Sequence, residues 1–221
     1  MFALGSAVQY LIIANLVGYL IELVAPQLIF PWITGPTGPV ELPWGGSFHL
    51  SLIPKEVVQQ GAVWQVVTHM FLHAPLPNIW HILFNMFALW MFGNALERAW
   101  GFRRFMIYYF VTGIGAGILT VLAAYLSAIF TGNQMDLIIP SIGASGAIYG
   151  LLLAFAMIFP EQPIFVFFLP MPAKYAVIVM GALAFVSGVT GAMPGVGHFA
   201  HLGGLLVGFL FLKWQGWGVR F

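Results

Sequence analysis

The chain has 221 residues, of which 61% are hydrophobic and only 6% are charged. An ordinary soluble domain has about 25% charged residues, so this composition excludes a typical soluble protein and predicts an integral membrane protein. We expect a single domain over residues 1–221, with a net charge of +1 that gives no reason to expect a nucleic-acid partner. Because cysteine is absent, the chain has neither a disulfide nor a thiolate nucleophile.

Six apolar stretches approach the ~20 residues that a helix needs to span a bilayer. They are Ala7–Val24, Ile79–Leu96, Phe105–Phe130, Ile142–Phe159, Ala173–Thr190 and His198–Trp214. The first stretch has no lysine or arginine before it and no small-residue cleavage site after it, so we interpret it as a retained helix rather than a secretory signal. The pattern predicts an all-α membrane protein with a bundle of six transmembrane helices.

The basic residues are distributed unevenly between the two sides of the predicted bundle. Cytoplasmic connections of membrane proteins accumulate lysine and arginine. With a cytoplasmic N-terminus, only Lys55 of the seven basic residues lies outside. The residues that lie inside are Arg98, Arg103, Arg104, Lys174, Lys213 and Arg220. We therefore predict that both termini are cytoplasmic and that the second, fourth and sixth spans begin at the outer face.

A segment of more than fifty residues, Ala25 to Asn78, separates the first two spans. It is rich in proline and glycine, and its large aromatic residues are Phe30, Trp32, Trp44, Phe48 and Trp64. Because tryptophan favours the membrane interface, we expect part of this long loop to lie in the outer headgroup region, with a short helix around Lys55–Val63. The alternative is a small folded cap in water.

Four polar side chains occur at similar positions in three of the predicted spans. Ser145, His201, His81 and Asn85 each fall within the first two turns of a span that begins at the outer face. Polar groups inside a membrane are costly when unpaired, so their presence at one depth indicates a functional site. Of these side chains, Ser145 is the candidate nucleophile and His201 the candidate base.

Small residues surround the serine and the histidine. Gly143, Gly146 and Gly150 flank Ser145, and a matching set occurs on the last span: Gly197, Ala200, Gly204 and Gly208. Such small-xxx-small faces let two membrane helices approach closely, so we expect the fourth and sixth spans to bring Ser145 within hydrogen-bonding distance of His201. A GxSG tetrapeptide alone is weak, since most membrane serines bond their own backbone.

His81 and Asn85 are four residues apart and lie on one face of the second span. Both side chains can donate hydrogen bonds to a developing oxyanion, for which one donor contributes about 2.7–4 kcal/mol in acyl transfer. The alternative is that they are polar contacts between helices, which contribute about 0.6–2 kcal/mol.

These residues resemble the rhomboid family of intramembrane serine proteases. The matching motifs are His81-Ile-Leu-Phe-Asn85 with HxxxN, Gly143-Ala-Ser145-Gly146 with GxSG, and Ala200-His201-Leu-Gly203-Gly204-Leu-Leu-Val-Gly208 with AHxxGxxxG. The resemblance covers nearly the whole chain. It implies a six-helix rhomboid-like bundle and substrates that are single-pass membrane proteins, cut near the outer end of a helix. It implies neither a cofactor nor a metal.

The resemblance also implies roles for individual residues. Ser145 and His201 would form a catalytic dyad, and His81, Asn85 and the Ser145 amide would form the oxyanion site. Tyr149 would stack on the ring of His201. Gly143, Gly146 and Gly204 would support the site through close packing.

Two features depart from the family pattern. Many bacterial members have Trp-Arg in the first loop, where this chain has Trp64-Gln65. His73 precedes His81 by eight positions, a longer gap than the family pattern predicts. The departures leave the roles of Gln65 and His73 open, whereas the catalytic assignment is unaffected.

Two other functions compete with proteolysis by Ser145. His69 and His73 have the spacing of two zinc ligands, but the intervening Met-Phe-Leu lacks the glutamate of HExxH. The other alternative is a catalytically inactive rhomboid-like protein that binds membrane clients. For an active enzyme, the bacterial inner membrane is the expected location.

Overall fold

The computed structural model describes residues 5–29, 49–166, 169–191 and 197–217. The helices are α1 (Ala7–Val24), α2 (Pro54–Gln59), α3 (Gln65–Thr68), α4 (Trp80–Trp100), α5 (Phe102–Thr131), α6 (Ser145–Ile158), α7 (Ala173–Thr190) and α8 (His198–Gln215). Short 3₁₀ turns cover Pro26–Leu28, His69–Phe71 and Met135–Leu137, and the strands β1 (Pro163–Val166) and β2 (Leu169–Pro172) form an antiparallel hairpin.

Each of the six predicted spans overlaps one helix of 14 or more residues. α1 and α7 have the predicted bounds, whereas α4 continues to Trp100 and α5 begins earlier, at Phe102. The prediction that the fourth span begins at Ile142 is wrong, because α6 begins at Ser145. The reason is Gly143, whose φ of +125° lies outside the helical region and delays the start of the helix.

Within the described residues, three helices are both long and apolar enough to cross a membrane: α1, α5 and α7. They present large apolar side chains outward, including Leu20 at 59% exposure, Ile118 at 54% and Ile178 at 65%. A soluble protein rarely exposes such continuous apolar faces, so these helices are suited to contact lipid. The other three helices differ from these in length or composition. α6 has only 14 residues, and α4 and α8 contain the polar histidines and the asparagine of the predicted site.

Glu97 joins α1 to the far end of α4. Its carboxylate accepts hydrogen bonds from the backbone N–H groups of Ala7, at 2.7 Å, and Val8, at 3.1 Å. These N–H groups have no partner inside α1, and a negative charge at a helix N-terminus is favourable. α1 therefore begins beside the end of α4, so its last turn lies at the opposite end of the bundle, where α4 begins.

The long loop between α1 and α4 contains the predicted short helix, although it is shorter than expected. α2 ends at Gln59 rather than Val63, because Gly61 turns the chain with a φ of +70°. Its predicted position at the membrane interface stays a prediction. Four of the aromatic residues that suggested it, Phe30, Trp32, Trp44 and Phe48, lie outside the described residues.

Gln65 occupies the centre of this loop and is fully buried. Its Oε1 accepts a hydrogen bond from the Ile53 N–H at 2.9 Å, and its Nε2 donates to Glu56 Oε2 at 2.8 Å and to the His49 carbonyl at 3.3 Å. All three partners belong to the same loop. The neutral amide of Gln65 therefore ties the loop together through these three hydrogen bonds.

The loop is also tied to the segment that precedes α6. The N–H and carbonyl groups of Leu52 exchange hydrogen bonds with those of Ser141, at 2.9 and 2.8 Å. Two residues later, the Gly143 N–H donates to the His69 carbonyl at 2.9 Å. The backbone that leads into Ser145 is therefore held at two points by the loop between α1 and α4.

Candidate active site

Ser145 and His201 meet at the ends of two helices. Ser145 is the first residue of α6, and His201 lies in the first turn of α8. The Ser145 hydroxyl is positioned to donate a hydrogen bond to His201 Nε2, with 2.8 Å between Oγ and Nε2. This distance lies within the range required for proton transfer between a nucleophile and its base.

The close approach of α6 and α8 depends on Gly204. A Cβ atom at Gly204 would lie only 1.9 Å from the carbonyl oxygen of Gly146. Farther along the two helices, a Cβ atom at Gly208 would lie 3.4 Å from the Cα atom of Gly150. The structure thus brings together the two small-residue faces that the sequence singles out, and backbone contacts backbone where α6 and α8 cross.

Tyr149 stacks on His201. The two rings are 4.1 Å apart between centroids and only 5° from parallel. Tyr149 lies one helical turn after Ser145, so the same helix supplies the hydroxyl and the aromatic surface that orients the imidazole. His201 is only 8% exposed, so the surrounding side chains restrict rotation of its ring away from Ser145.

No carboxylate within the described part of the chain forms a hydrogen bond with His201. Asp136, the nearest acid before Ser145 in the sequence, instead accepts a hydrogen bond from Ser127 Oγ at 2.7 Å. Glu22 accepts one from the backbone N–H of His73. Both acids are thus engaged with groups other than His201.

His81 lies beside the backbone turn that precedes the serine. Its Nδ1 accepts a hydrogen bond from the Ala74 N–H at 2.9 Å, which places the hydrogen of a neutral ring on Nε2. A Cβ atom at Gly143 would lie 3.1 Å from that Nε2 and 3.6 Å from Ser145 Oγ. The Nε2–H donor therefore borders the space next to the serine hydroxyl, and Gly143 keeps this space open.

Asn85 lies one turn after His81 and is buried, with 6% exposure. Its Nδ2 donates a hydrogen bond to the carbonyl oxygen of His81 at 2.7 Å. Because an amide nitrogen carries two hydrogens, one remains for another acceptor. The bond to the helix backbone also restricts the orientation of this side chain.

The start of α6 supplies backbone donors at the same place. The first N–H groups of a helix have no partner inside it, and no side chain caps α6. The amides of Ser145 and Gly146 belong to this first turn. Together with the positive end of the helix dipole, they favour a negative charge near Ser145 Oγ.

The two histidines of the zinc alternative are held apart from each other by the local backbone. His69 belongs to a 3₁₀ turn that ends at Phe71, and Leu72 is extended, so His69 and His73 do not share a helix face. His69 Nδ1 lies 2.8 Å from the Gln65 carbonyl. No group of three or more histidine and acidic residues in the described ranges is arranged to hold a metal ion.

Two groups that shape the site could not be predicted from side-chain patterns. They are the Ala74 N–H, which holds the ring of His81, and the His69 carbonyl, which holds the turn at Gly143. Both are backbone groups, so residue types alone do not reveal them. The proline residues after Ala74 indicate a turn before the second span, but not its hydrogen bond.

The chain matches the Rhomboid domain family over residues 60–215. It is 36% identical to "RHOMBOID-like protein 6, mitochondrial" of Arabidopsis thaliana over 156 residues, covering 70% of this chain and 44% of the relative. It is 31% identical to "Rhomboid protein 1, mitochondrial" of Saccharomyces cerevisiae over 135 residues, covering 61% and 37%. It is also 31% identical to the human "Presenilin-associated rhomboid-like protein, mitochondrial" over 143 residues, covering 62% and 35%.

The chain therefore matches less than half the length of these relatives. Their mitochondrial names disagree with the bacterial inner membrane that we expected from the sequence, so that location is not retained. The matched region includes every residue of the site described above, from His69 to His201.

Proposed function

The chain belongs to the rhomboid family, and from this premise we propose that it is an intramembrane serine endopeptidase whose catalytic dyad is Ser145 and His201. The observation that carries the proposal is the 2.8 Å contact between Ser145 Oγ and His201 Nε2. A buried histidine stacked on Tyr149 and joined to a serine at a helix N-terminus is suited to nucleophilic catalysis.

In the proposed reaction, His201 Nε2 takes the hydroxyl proton as Ser145 Oγ attacks the scissile carbonyl carbon. The oxyanion that forms accepts hydrogen bonds from His81 Nε2–H, from the free amide hydrogen of Asn85 and from the Ser145 N–H. The protonated His201 then gives its proton to the leaving amine. Water, activated in turn by His201, hydrolyses the acyl-enzyme and restores Ser145.

The proposed substrates are single-pass membrane proteins, cut near the end of a transmembrane helix. All six long helices cross the bilayer in this proposal, with the site at the end where α4, α6 and α8 begin. Support comes from the basic residues. Arg98 lies where α4 ends and Arg103 where α5 begins, while Lys174 lies where α7 begins and Lys213 where α8 ends. We propose that this basic end, with both termini, faces the cytoplasmic side.

Cleavage in liposomes separates this function from the two alternatives. The purified protein is incubated with a membrane-spanning substrate, with and without a zinc chelator or a serine-directed fluorophosphonate. We expect cleavage that the chelator leaves intact and the fluorophosphonate abolishes. Inhibition by the chelator alone would favour a zinc protease, and binding of substrate without cleavage would favour the inactive protein that binds clients.

The oxyanion site leads to a graded prediction for Asn85. Because His81 and the Ser145 amide remain in Asn85→Ala, kcat should fall by about 10- to 1000-fold rather than vanish. Steady-state rates over a range of substrate concentration give kcat and KM separately. A loss confined to KM would instead assign Asn85 a role in positioning the substrate.

Within the described ranges no carboxylate forms a hydrogen bond with His201, and this leads to a second prediction. Asp136→Asn and Glu22→Gln should each keep most of the wild-type kcat, since both changes replace a carboxyl group while keeping a hydrogen-bond acceptor. Neutralising the aspartate of a Ser-His-Asp triad lowers kcat by about 10⁴-fold. A loss of that size in either folded variant would reveal a third member of the catalytic machinery.

A further inference from the structure

Glu22 is a buried acid that the proposed mechanism does not use. It lies in the last turn of α1 and is only 3% exposed. Among the described residues it forms no ion pair, and its Oε2 has no hydrogen-bond partner. Burying a carboxyl group without a charged partner costs free energy, so an apolar side chain at this position would make the folded state more stable.

The other oxygen of this carboxyl group holds the turn that leads to α4. Oε1 accepts a hydrogen bond from the backbone N–H of His73. The next residue, Ala74, donates its own N–H to His81 Nδ1 at 2.9 Å. Two successive peptide groups thus connect Glu22 to the imidazole of His81.

The segment after Ala74 is exposed, and its backbone hydrogen bonds are local, such as those from the Asn78 N–H to the Pro75 carbonyl at 3.0 Å and from the Ile79 N–H to the Pro77 carbonyl at 2.9 Å. Pro75, Leu76, Pro77 and Asn78 are exposed, and Leu76 is 60% exposed. The residue before Ala74, His73, is fully buried, and its ring packs edge-on against His81 with 5.2 Å between centroids. The position of the Ala74 N–H is therefore set from the His73 side, where Glu22 holds the backbone.

We propose that Glu22 is a positioning residue that acts on His81 through the His73–Ala74 backbone and fixes the tautomer in which Nε2 carries the hydrogen. This inference rests on the proposed function, in which His81 Nε2–H donates to the oxyanion. His73 is compatible with the same tautomer of His81, because burial lowers the pKa of His73 to about 3 and its ring stays neutral at pH 7. The ring that packs against His81 therefore brings no positive charge to it. α1, which contributes no catalytic group, is thereby coupled to the oxyanion site.

Two substitutions at Glu22 have similar size and opposite expected results. Glu22→Gln keeps an acceptor oxygen for the His73 N–H, whereas Glu22→Met fills the same space without one. We expect Glu22→Met to lower kcat by about 10-fold or more, with KM nearly unchanged, and Glu22→Gln to restore most of the loss. Equal rates in the two variants would contradict the inference.

A double-mutant cycle separates positioning from a general loss of stability. If Glu22 acts through His81, Glu22→Met should have little further effect on kcat in a protein that already carries His81→Ala. Ala74→Pro, which removes the N–H that holds the ring of His81, should resemble Glu22→Met. If Glu22→Met does not fold, Ala74→Pro provides the test. Losses of kcat that multiply in the double mutant would overturn the proposal.

The ring nitrogens of His81 provide a readout that does not depend on proteolysis. In full-length protein labelled with ¹⁵N-histidine in detergent micelles, the wild type and Glu22→Gln should show His81 with hydrogen on Nε2, assigned by loss of the signals in His81→Ala. Glu22→Met and Ala74→Pro should show mixed tautomers. An unchanged tautomer in both variants would refute the positioning role, whereas a changed tautomer in a protein without proteolysis would leave it standing and refute only the proposed function.

Discussion

Ser145→Ala and His201→Ala should each remove essentially all proteolysis while leaving the protein inserted and folded. In the proposed reaction, Ser145 Oγ is the protein atom that bonds to the scissile carbonyl carbon, and His201 Nε2, 2.8 Å away, is the base that takes its proton. In serine proteases, removal of either group lowers kcat on the order of 10⁶-fold, and removal of both adds little more. Initial rates in proteoliposomes for both single variants and the double variant test this expectation.

Two measurements control for damage to the fold. Ser145→Ala adds no volume but removes the hydrogen bond to His201, so its melting temperature in detergent should be at most slightly below that of the wild type. His201→Ala also removes the ring that stacks on Tyr149, which contributes about 0.5–1.5 kcal/mol beyond burial, so a slightly lower melting temperature is expected. Substantial turnover by Ser145→Ala, free of contaminating protease, would contradict the mechanism.

Gly204→Val should lower kcat by about 100-fold or more, although the residue touches no substrate. The first added carbon would lie 1.9 Å from the Gly146 carbonyl oxygen, and this backbone atom has no rotamer by which to move away. α6 and α8 must therefore separate, and a displacement of about 1 Å between reacting groups can cost about 100-fold in rate. Gly204→Ala should show the same direction of change, since the clash begins at Cβ.

Gly181→Ala in α7 is a matched control for Gly204→Ala. Both changes add one methyl group inside a helix, but a Cβ atom at Gly181 would meet only the end of the flexible Leu205 side chain, at 3.2 Å. We expect Gly181→Ala to keep nearly the wild-type rate. Wild-type rates in Gly204→Val, or equal losses in the two alanine variants, would show that the contact between α6 and α8 does not set the distance from Ser145 to His201.

The sequence was sufficient to predict the features that depend on which side chains recur along a helix. The bounds of α1 and α7 follow from long runs of mostly apolar residues. The contact between Gly204 and Gly146 follows from small residues that recur at helical spacing. Likewise, the serine and the histidine could be paired because both begin helices that run in the same direction.

Features that depend on backbone conformation could not be predicted in the same way. Nothing in the residue pattern showed that Gly143 adopts a φ of +125°, which delays the start of α6. The buried contacts of Gln65 depend on loop residues that are distant in sequence, such as Ile53. The link from Glu22 to His81 runs through two backbone N–H groups, which every residue except proline possesses.

The most direct test of the central claim is to locate the reactive serine by mass spectrometry. After the protein in liposomes is treated with a fluorophosphonate, proteolytic peptides are searched for the added phosphonyl group. The proposed dyad predicts a single major adduct on Ser145, which is lost in His201→Ala and retained in Asp136→Asn. An adduct on another residue, or labelling of Ser145 that does not depend on His201, would contradict the assignment of these two residues as nucleophile and base.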